Sequence, residues 1–429
     1  MRRLFHVAAC AFALVVPAGA LAAGDPLRDR QYGLDIVESD AAHQAATGKG
    51  AVIAIVDTGV QASHPDLQGG RLLGGYDFVD GDTTPNDDVD GHGTHVLGIA
   101  GATAGNGIGV SSVAPGATLL PVRVLGNDGG GSVADVVKGI DYAVAQGADV
   151  INLSLGGEVP LIGADAGFDA AIDRALDAGR VVVAASGNDG VPACSQPSGR
   201  GRLLCVGSVD RNRSRSLFSN FSGNSEALGI MAPGGSLIGP NILSTFNDGG
   251  YEEIAGTSQA APHVSGVAAL LVEKGLRGQA AVRRILATAS DAGLPGPDPE
   301  YGYGIVNARQ AVAGLAGPGG PGAGGGSAAA ISLRRTLSIR AALRRGIRVR
   351  CRAAGAGRCR VAASRRGRRV AAGSKALRAG RPAVAVARFN RRGRAVLRRA
   401  QRRGRAVTVQ VRVRLPGVRP QRRRVKLRP

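Results

Sequence analysis

The chain has 429 residues, a hydrophobic fraction of 44% and a formal net charge of +22 at neutral pH. That length is too great for one compact core, so a large domain with an appendage is expected. After the first residues no stretch holds the roughly 20 uninterrupted apolar residues of a membrane helix, which excludes a later spanning segment of that kind.

The start, MRRLFHVAACAFALVVPAGALAAG, joins a basic tip, an apolar stretch and the small-residue site Ala20, Leu21, Ala22. Together they read as a secretory signal over residues 1–23, cut after about Ala22 or Ala23, so the mature chain is expected outside the cell, in solution or on a wall. A lipid anchor at Cys10 is the weaker alternative, because the apolar region runs well past that residue. With Cys10 removed, four cysteines remain in two local pairs, Cys194 with Cys205 and Cys351 with Cys359. An oxidising compartment makes two disulfides the expectation, each contributing about 2 to 3 kcal/mol at most through loop entropy; buried free thiols are the alternative. Metal binding by cysteine is disfavoured, since CxxC spacing is absent.

From residue 51 onward strand-like and helix-like segments alternate: AVIAIVD, ATLLPVRVL, SVADVVKGIDYAVAQG, ADVINLSLG, FDAAIDRALDAG and VVVAAS. The alternation predicts an α/β fold, a parallel sheet with helices on both faces. The strands are near-continuous Val, Ile, Leu and Ala, as burial on both faces requires, while Val133, Val136, Val137, Ile140 and Val144 recur at helical steps. Sites in such sheets gather beyond the carboxyl ends of strands, and three polar residues stand out there. Asp57 ends a buried strand, with Gly59 allowing a sharp exit; a turn cap is its structural alternative. His92 lies between two glycines in GHGTHVLGIAG, at the opening of a helical segment. His95 follows three residues later, but no acidic third ligand or HExxH pattern accompanies the pair, so zinc is disfavoured. Ser258, in IAGTSQAAPHVSG, precedes an apolar helix and is crowded by Gly256, Ala260 and Ala261; a helix cap is the bland alternative. Carboxylate, imidazole and hydroxyl together are what nucleophilic acyl transfer needs, because serine is a poor nucleophile unless a neighbouring base takes its proton. The small residues would leave room for a substrate backbone, and a helix N-terminus favours developing negative charge.

Asp57-Thr58-Gly59, His92-Gly93-Thr94-His95 and Gly256-Thr257-Ser258 resemble, in this chain order, the three signature blocks of the subtilisin-like serine proteases. Details such as LLGGYDFVD and RQYG are most similar to the thermitase branch. The resemblance spans about Asp25 to Leu315 and implies a subtilisin-like peptidase domain over residues 24–315. It implies that His92 is the general base and then acid, and that Asp57 holds and stabilises its ring. The amide of Asn188, in VVVAASGNDG, would join the Ser258 backbone N–H at the tetrahedral oxyanion. Ser154, Leu155 and Gly156 on one side, and Gly129, Gly130 and Gly131 on the other, would grip protein or peptide substrates as an added strand, which implies broad endopeptidase specificity. The loop VPACSQPSGRGRLLC departs from the usual pattern, so no preferred side chain is assigned.

Structural calcium is implied at two places. One is Asp77, Asp80, Asp82, Asn86 and the Thr84 carbonyl in YDFVDGDTTPNDD; the other is Asp25, Asp66 and Asn106 with the carbonyls of Ala104, Ile108 and Val110. Family members are commonly made with an N-terminal propeptide, yet only about 25 residues separate the signal from AVIAIVD. Folding is therefore expected to rely on calcium and a permissive topology, or on another factor.

Beyond the body, AGLAGPGGPGAGGGSAAA is too rich in Gly, Ala and Pro to pack and sets a flexible linker over residues 316–330. Residues 331–429 hold 34 Arg and Lys and no Asp or Glu, so the remainder, with 20 basic against 32 acidic residues, is near −12. AVTVQVRVRL alternates strictly, and GIRVRC and GRCRVAA repeat the pattern with both cysteines on the apolar phase. That predicts a small antiparallel β-sandwich-like domain, similar to basic all-β appendages of exported bacterial proteins. Such a cationic surface would attract wall polymers, nucleic acid or the acidic body of the chain; arginine bias on an exposed sheet without a partner is the alternative. A monomer is expected. Three functions stay open: a secreted broad endopeptidase, a processing protease held at a surface, and an inactive binder that keeps the fold. The intact set of Asp57, His92, Ser258 and Asn188 disfavours the last.

Overall fold

The computed structural model describes residues 24–85, 89–155, 166–194, 201–221, 228–315, 331–333, 336–351, 357–365, 368–378, 383–415 and 421–429. The predicted signal and linker lie outside the described residues. The chain divides into two units, Met1–Gly319 and Gly320–Pro429.

The first unit is framed by β1 (Val52–Asp57), β2 (Tyr76–Asp77), β3 (Thr118–Arg123), β4 (Val150–Leu153), β5 (Val181–Ala185), β6 (Leu204–Val209) and β7 (Leu228–Pro233). They pair in parallel throughout, in the order β2-β3-β1-β4-β5-β6-β7. A hairpin of β8 (Ile242–Thr245) and β9 (Tyr251–Ile254) stands beside this sheet in sequence. β1 lies where the strand order turns back, and its side chains alternate: Ile53 and Ile55 enter one apolar cluster, Ala54 the other together with Val56. Burial on both faces is why these strands read as unbroken apolar runs.

The helices are α1 (Tyr32–Val37), α2 (Ser39–His43), α3 (His92–Gly101), α4 (Val133–Ala145), α5 (Ala166–Asp177), α6 (Thr257–Glu273), α7 (Gln279–Ala287) and α8 (Ala308–Val312). α3 and α6 cover one face, with Val96, Leu97, Val264 and Val267 against Ile53 and Ile55. α4 and α5 cover the other, with Val136, Ile140 and Ile172 against Ala54 and Val56. Every residue of α6 from Thr257 to Val272 is buried, so this helix runs through the core rather than along it. It begins at Thr257, well before the apolar run that announces it in sequence, and it tolerates Pro262 inside. At its other end the Glu273 carboxylate accepts from the N–H groups of Thr47 and Gly48, both at 2.8 Å, and of Lys49 at 3.0 Å. The helix that carries Ser258 in its first turn is thus tied to the segment that feeds β1, the strand that ends in Asp57.

Both predicted disulfides form, Cys194 with Cys205 and Cys351 with Cys359. The second unit holds β10 (Ile331–Ser332), β11 (Thr336–Ser338), β12 (Ile347–Cys351), β13 (Gly357–Arg365), β14 (Arg368–Leu377), β15 (Ala383–Phe389), β16 (Val407–Arg414) and β17 (Gln421–Arg428). They make one sheet in the order β10-β12-β15-β14-β13-β16-β17-β11. The predicted GIRVRC, GRCRVAA and AVTVQVRVRL strands are β12, β13 and β16, in antiparallel ladders; β11 joins β17 in parallel. Val407, Val409, Val411 and Val413 enter one core with both cysteines, while the residues between them are exposed. Two helices accompany this sheet against the all-β expectation, α9 (Ile339–Arg345) and α10 (Arg391–Arg402). Each buries two residues, Ile339 and Ala342 in the first, Gly393 and Leu397 in the second, which is too few to stand out as a period among arginines. Among the described residues no helix is long and apolar enough to cross a membrane.

The tie at Glu273 yields a prediction. Glu273→Ala strips three N–H donors of a charged acceptor and should lower the unfolding free energy by about 3 kcal/mol in denaturant titration, with Glu273→Gln losing less. A change below about 0.5 kcal/mol would show that the tie contributes nothing.

Candidate active site

Because the strands are parallel, Asp57, Leu153 and Ala185 all end at the same edge of the sheet. Asp57 is fully buried there. Its Oδ1 accepts from the backbone N–H of Thr58 at 2.8 Å and from Nδ1 of His92 at 2.7 Å, while its Oδ2 has no partner among the described residues. The acceptor fixes the tautomer: the proton on His92 Nδ1 points at the carboxylate, leaving Nε2 at the other side of the ring. The glycines around His92 have local reasons. Gly91 precedes α3 in a left-handed conformation, φ 89°. A Cβ on Gly93 would lie 2.2 Å from the carbonyl oxygen of Gly59, so only glycine lets the first turn of α3 press against the turn after Asp57. Thr58 Oγ1 accepts from Gly93 N at 2.8 Å and pins that contact.

Ser258 is the second residue of α6, and 7% of it is exposed. Pro262, four residues on, has no N–H to give the Ser258 carbonyl. Ser154 Oγ takes that place, donating to Ser258 O at 2.7 Å, and Ser258 Oγ donates to Ser154 O at 3.3 Å. Behind them Asn152 Nδ2 donates to Ser154 Oγ at 2.9 Å and Ser265 Oγ donates to Asn152 Oδ1 at 2.8 Å. A buried polar ladder therefore locks the first turns of α6 to the end of β4. Sequence reasoning gave Ser154 to the substrate wall and missed this second role. The signals were present: Asn152 and Ser154 interrupt an apolar strand, and Pro262 sits one helical turn after Ser258.

Asn188 follows β5. Its Oδ1 accepts from Thr257 N at 2.9 Å and from Thr257 Oγ1 at 3.0 Å, and Thr257 Oγ1 in turn accepts from Gly187 N at 3.1 Å. With the oxygen held, the amide nitrogen lies near the start of α6: a Cβ placed on Gly256 would lie 2.7 Å from Gln259 Oε1 and 3.7 Å from both Asn188 Nδ2 and Ser258 N. A side-chain amide and a backbone N–H thus stand at the same helix N-terminus, the kinds of donor an oxyanion needs. Thr257, which sets the amide, was quoted in the sequence motif without a role.

The glycine loop borders the histidine side. Gly126 N donates to Gly130 O at 2.7 Å, Gly130 and Gly131 are exposed, and a Cβ on Gly129 would lie 3.8 Å from Asp90, whose other oxygen accepts from His92 N at 3.1 Å. Leu155 is buried on the serine side, and Gly156 lies outside the described residues. His95 belongs to the core: its Nε2 donates to the carbonyls of Ile242 and Glu252, both at 3.0 Å, and burial lowers its pKa to about 3. It stays neutral and does not pair with His92 around a metal.

The two acidic regions differ. Asp66 and Asp25 converge on the loop 104–110: Asp66 accepts from Asn106 Nδ2 at 2.8 Å and Val110 N at 2.7 Å, and Asp25 from Gly105 N at 2.9 Å and Asn106 N at 3.1 Å. Burial, with Asp25 nearby, raises the pKa of Asp66. Ala104, Ile108 and Val110 lie on the same loop. In the other region Arg123 Nη1 donates to Asp77 Oδ2 at 2.5 Å and Asp80 Oδ2 at 2.6 Å, while Asp77 Oδ1 accepts from Val79 N and Asp80 N. Asp82 Oδ1 accepts from Thr84 N at 2.7 Å; Asn86 lies outside the described residues.

The ladder is testable. Ser154→Ala leaves the buried Ser258 carbonyl without a donor and should cost about 1 to 3 kcal/mol of stability. Adding Pro262→Ala restores an N–H four residues on, so in denaturant titration the double variant should recover much of that loss. Simple additivity of the two changes would contradict the ladder.

Comparison with known proteins follows the same lines. Residues 48–304 match the subtilase family. Thermitase of Thermoactinomyces vulgaris is 43% identical over 283 residues, which cover 66% of this chain and 96% of the relative. Subtilisin BL of Lederbergia lenta is 39% identical over 283 residues, 65% of this chain and 97% of the relative. Among solved structures, a protease of Pseudoalteromonas arctica PAMC 21717 superposes with a TM-score of 0.61 at 33% identity, covering 69% of this chain and all of that one. A cold-adapted subtilisin-like serine proteinase gives 0.51 at 36% identity, over 61% and 88%. With a family match over residues 48–304 and a relative 43% identical over nearly its whole length, the chain belongs to the subtilase family and is a serine-type endopeptidase.

Proposed function

We propose that the protein is an exported endopeptidase of broad specificity, stabilised by calcium, in which Asp57, His92 and Ser258 carry the reaction. The observation that carries this reading is the 2.7 Å hydrogen bond from His92 Nδ1 to a carboxylate buried completely at the sheet edge. A substrate strand would lie between Ser154–Leu155 and Gly129–Gly131, extended by Gly156, held mainly by its backbone. His92 Nε2 takes the proton as Ser258 Oγ attacks the scissile carbonyl, and Asp57 stabilises the imidazolium that results. The oxyanion accepts from Ser258 N and Asn188 Nδ2. His92 then gives its proton to the departing amine, leaving an acyl-enzyme, and takes another from the water that hydrolyses it. Export is supported by the amino-terminal signal pattern and by two disulfides.

Calcium suits the first acidic region because its donors are hard oxygens only: Asp25, Asp66, Asn106 and the carbonyls of Ala104, Ile108 and Val110. Burial, with Asp25 nearby, disfavours the charged form of Asp66, and a cation would offset both. A second ion at Asp80, Asp82, Asn86 and the Thr84 carbonyl would share Asp77 and Asp80 with Arg123, so its site is already partly neutralised and is the weaker of the two. When bound, calcium supplies stability rather than chemistry. The basic tail would meet an anionic polymer, and the chain acts as a monomer.

Peptide cleavage should vanish in Ser258→Ala. Asn188→Ala should lower kcat by about 10² to 10³ with a smaller change in KM, a magnitude carried over from the same removal in a subtilisin. Undiminished cleavage by Ser258→Ala would overturn the assignment. For calcium, a chelator should lower the thermal midpoint of the Ser258→Ala protein, and Asp66→Asn should remove most of that response. An identical midpoint with and without chelator would remove calcium from the account.

A further inference from the structure

We infer that an arginine-lined trough on the outer face of the tail sheet binds a linear phosphate polymer through its charges alone. This rests on the reading that the tail contacts an anionic polymer, and gives that contact a place. The trough follows from strand register. Arg360 on β13 stands opposite Arg414 on β16 and Ser374 on β14, and Ala362 stands opposite Arg412 and Ala372. Side chains alternate along a strand, so these residues share the outer face while Val361, Val411 and Val413 enter the core. Short side chains on the middle strands make a floor, and Arg360, Arg369, Arg412 and Arg414, all exposed, make the walls of an open hollow of about 650 Å³.

No Asp or Glu occurs between residues 331 and 429, so no acidic side chain of this stretch can neutralise these guanidinium groups. Like charges set directly opposite on neighbouring strands destabilise a sheet, and Arg360 faces Arg414 in that way. A bound polyanion would remove the repulsion. Arg412 and Arg414 stand about 7 Å apart along their strand, and Arg414 about 5 Å from Arg360 across strands. That repeat suits a chain charged at every unit better than one small ion. Apart from Lys375 and Lys426, every basic residue of the tail is Arg, whose fork bonds the paired oxygens of phosphate or carboxylate, and in a linear phosphate polymer that oxyanion lies in the backbone itself at every unit. The tail has one aromatic residue, Phe389, and it is buried, so bases would find no aromatic platform on which to stack.

The test uses the full-length Ser258→Ala protein, titrated with long-chain inorganic polyphosphate across a salt series, and in parallel with oligo(dT) and polyglutamate of matched charge. Replacing Arg360, Arg412 and Arg414 together by Gln should weaken polyphosphate binding at least about tenfold and lower the salt slope by about 2. Replacing Arg391, Arg392 and Arg398 of α10 by Gln removes the same charge elsewhere and should cost less than about threefold. Lys at the three trough positions keeps the charge, so it should keep the salt slope while losing affinity a few-fold, and it serves if the Gln variant fails to fold. Equal losses from trough and helix variants would overturn the trough and leave the general reading standing. Tighter binding of oligo(dT) or polyglutamate than of polyphosphate would overturn the phosphate assignment. No binding of any polymer by the parent protein at low salt would overturn both.

Discussion

A carboxylate with no solvent exposure, Asp57, sits at the end of β1, and the rest of the first unit is arranged so that this is tolerable. A buried charge left alone is costly, and the compensation here comes from one backbone N–H and one imidazole N–H on the same oxygen. That requirement reaches outward. It demands a strand ending at the point where the sheet order reverses, a turn close enough to a helix for glycine alone to fit between them, and a histidine as the first residue of that helix. The same bond that offsets burial of Asp57 places the Nδ1 proton of His92 on the carboxylate.

The helix that carries Ser258 in its first turn does two jobs that usually conflict. It is buried from Thr257 to Val272, and it presents a hydroxyl and a backbone N–H at its first turn. Pro262 reconciles them by breaking the helical hydrogen bond of the Ser258 carbonyl, which hands that carbonyl to Ser154 on the sheet. Position is then set by the sheet edge rather than by the helix alone, and Thr257 carries the same logic to Asn188. A residue that would weaken an ordinary helix here couples Ser258 to its surroundings.

Much of this was legible in sequence because burial on both sides leaves a plain trace. AVIAIVD, ADVINLSLG and VVVAAS are parallel strands as read, and Asp57, His92, Ser258 and Asn188 lie near the edge where such sheets keep their chemistry. What stayed hidden depends on pairing across the chain. Nothing near Ser154 in sequence shows that its hydroxyl answers a proline at 262, and nothing in YDFVDGD shows that Arg123 comes to lie between Asp77 and Asp80. In the tail, strict alternation reveals β16, whereas α9 and α10 stay hidden because each buries only two residues, too few to mark a helical period among the arginines. The register that sets Arg360 against Arg414 belongs to the same hidden class.

The most direct test of the relay is covalent labelling of the folded protein with a serine-directed fluorophosphonate, located by mass spectrometry. One adduct per chain, on Ser258, lost in His92→Ala and much slower in Asp57→Asn, is the predicted result. Labelling of Ser258 that is indifferent to His92, or none at all in well-folded protein, would contradict the claim that these three residues act together.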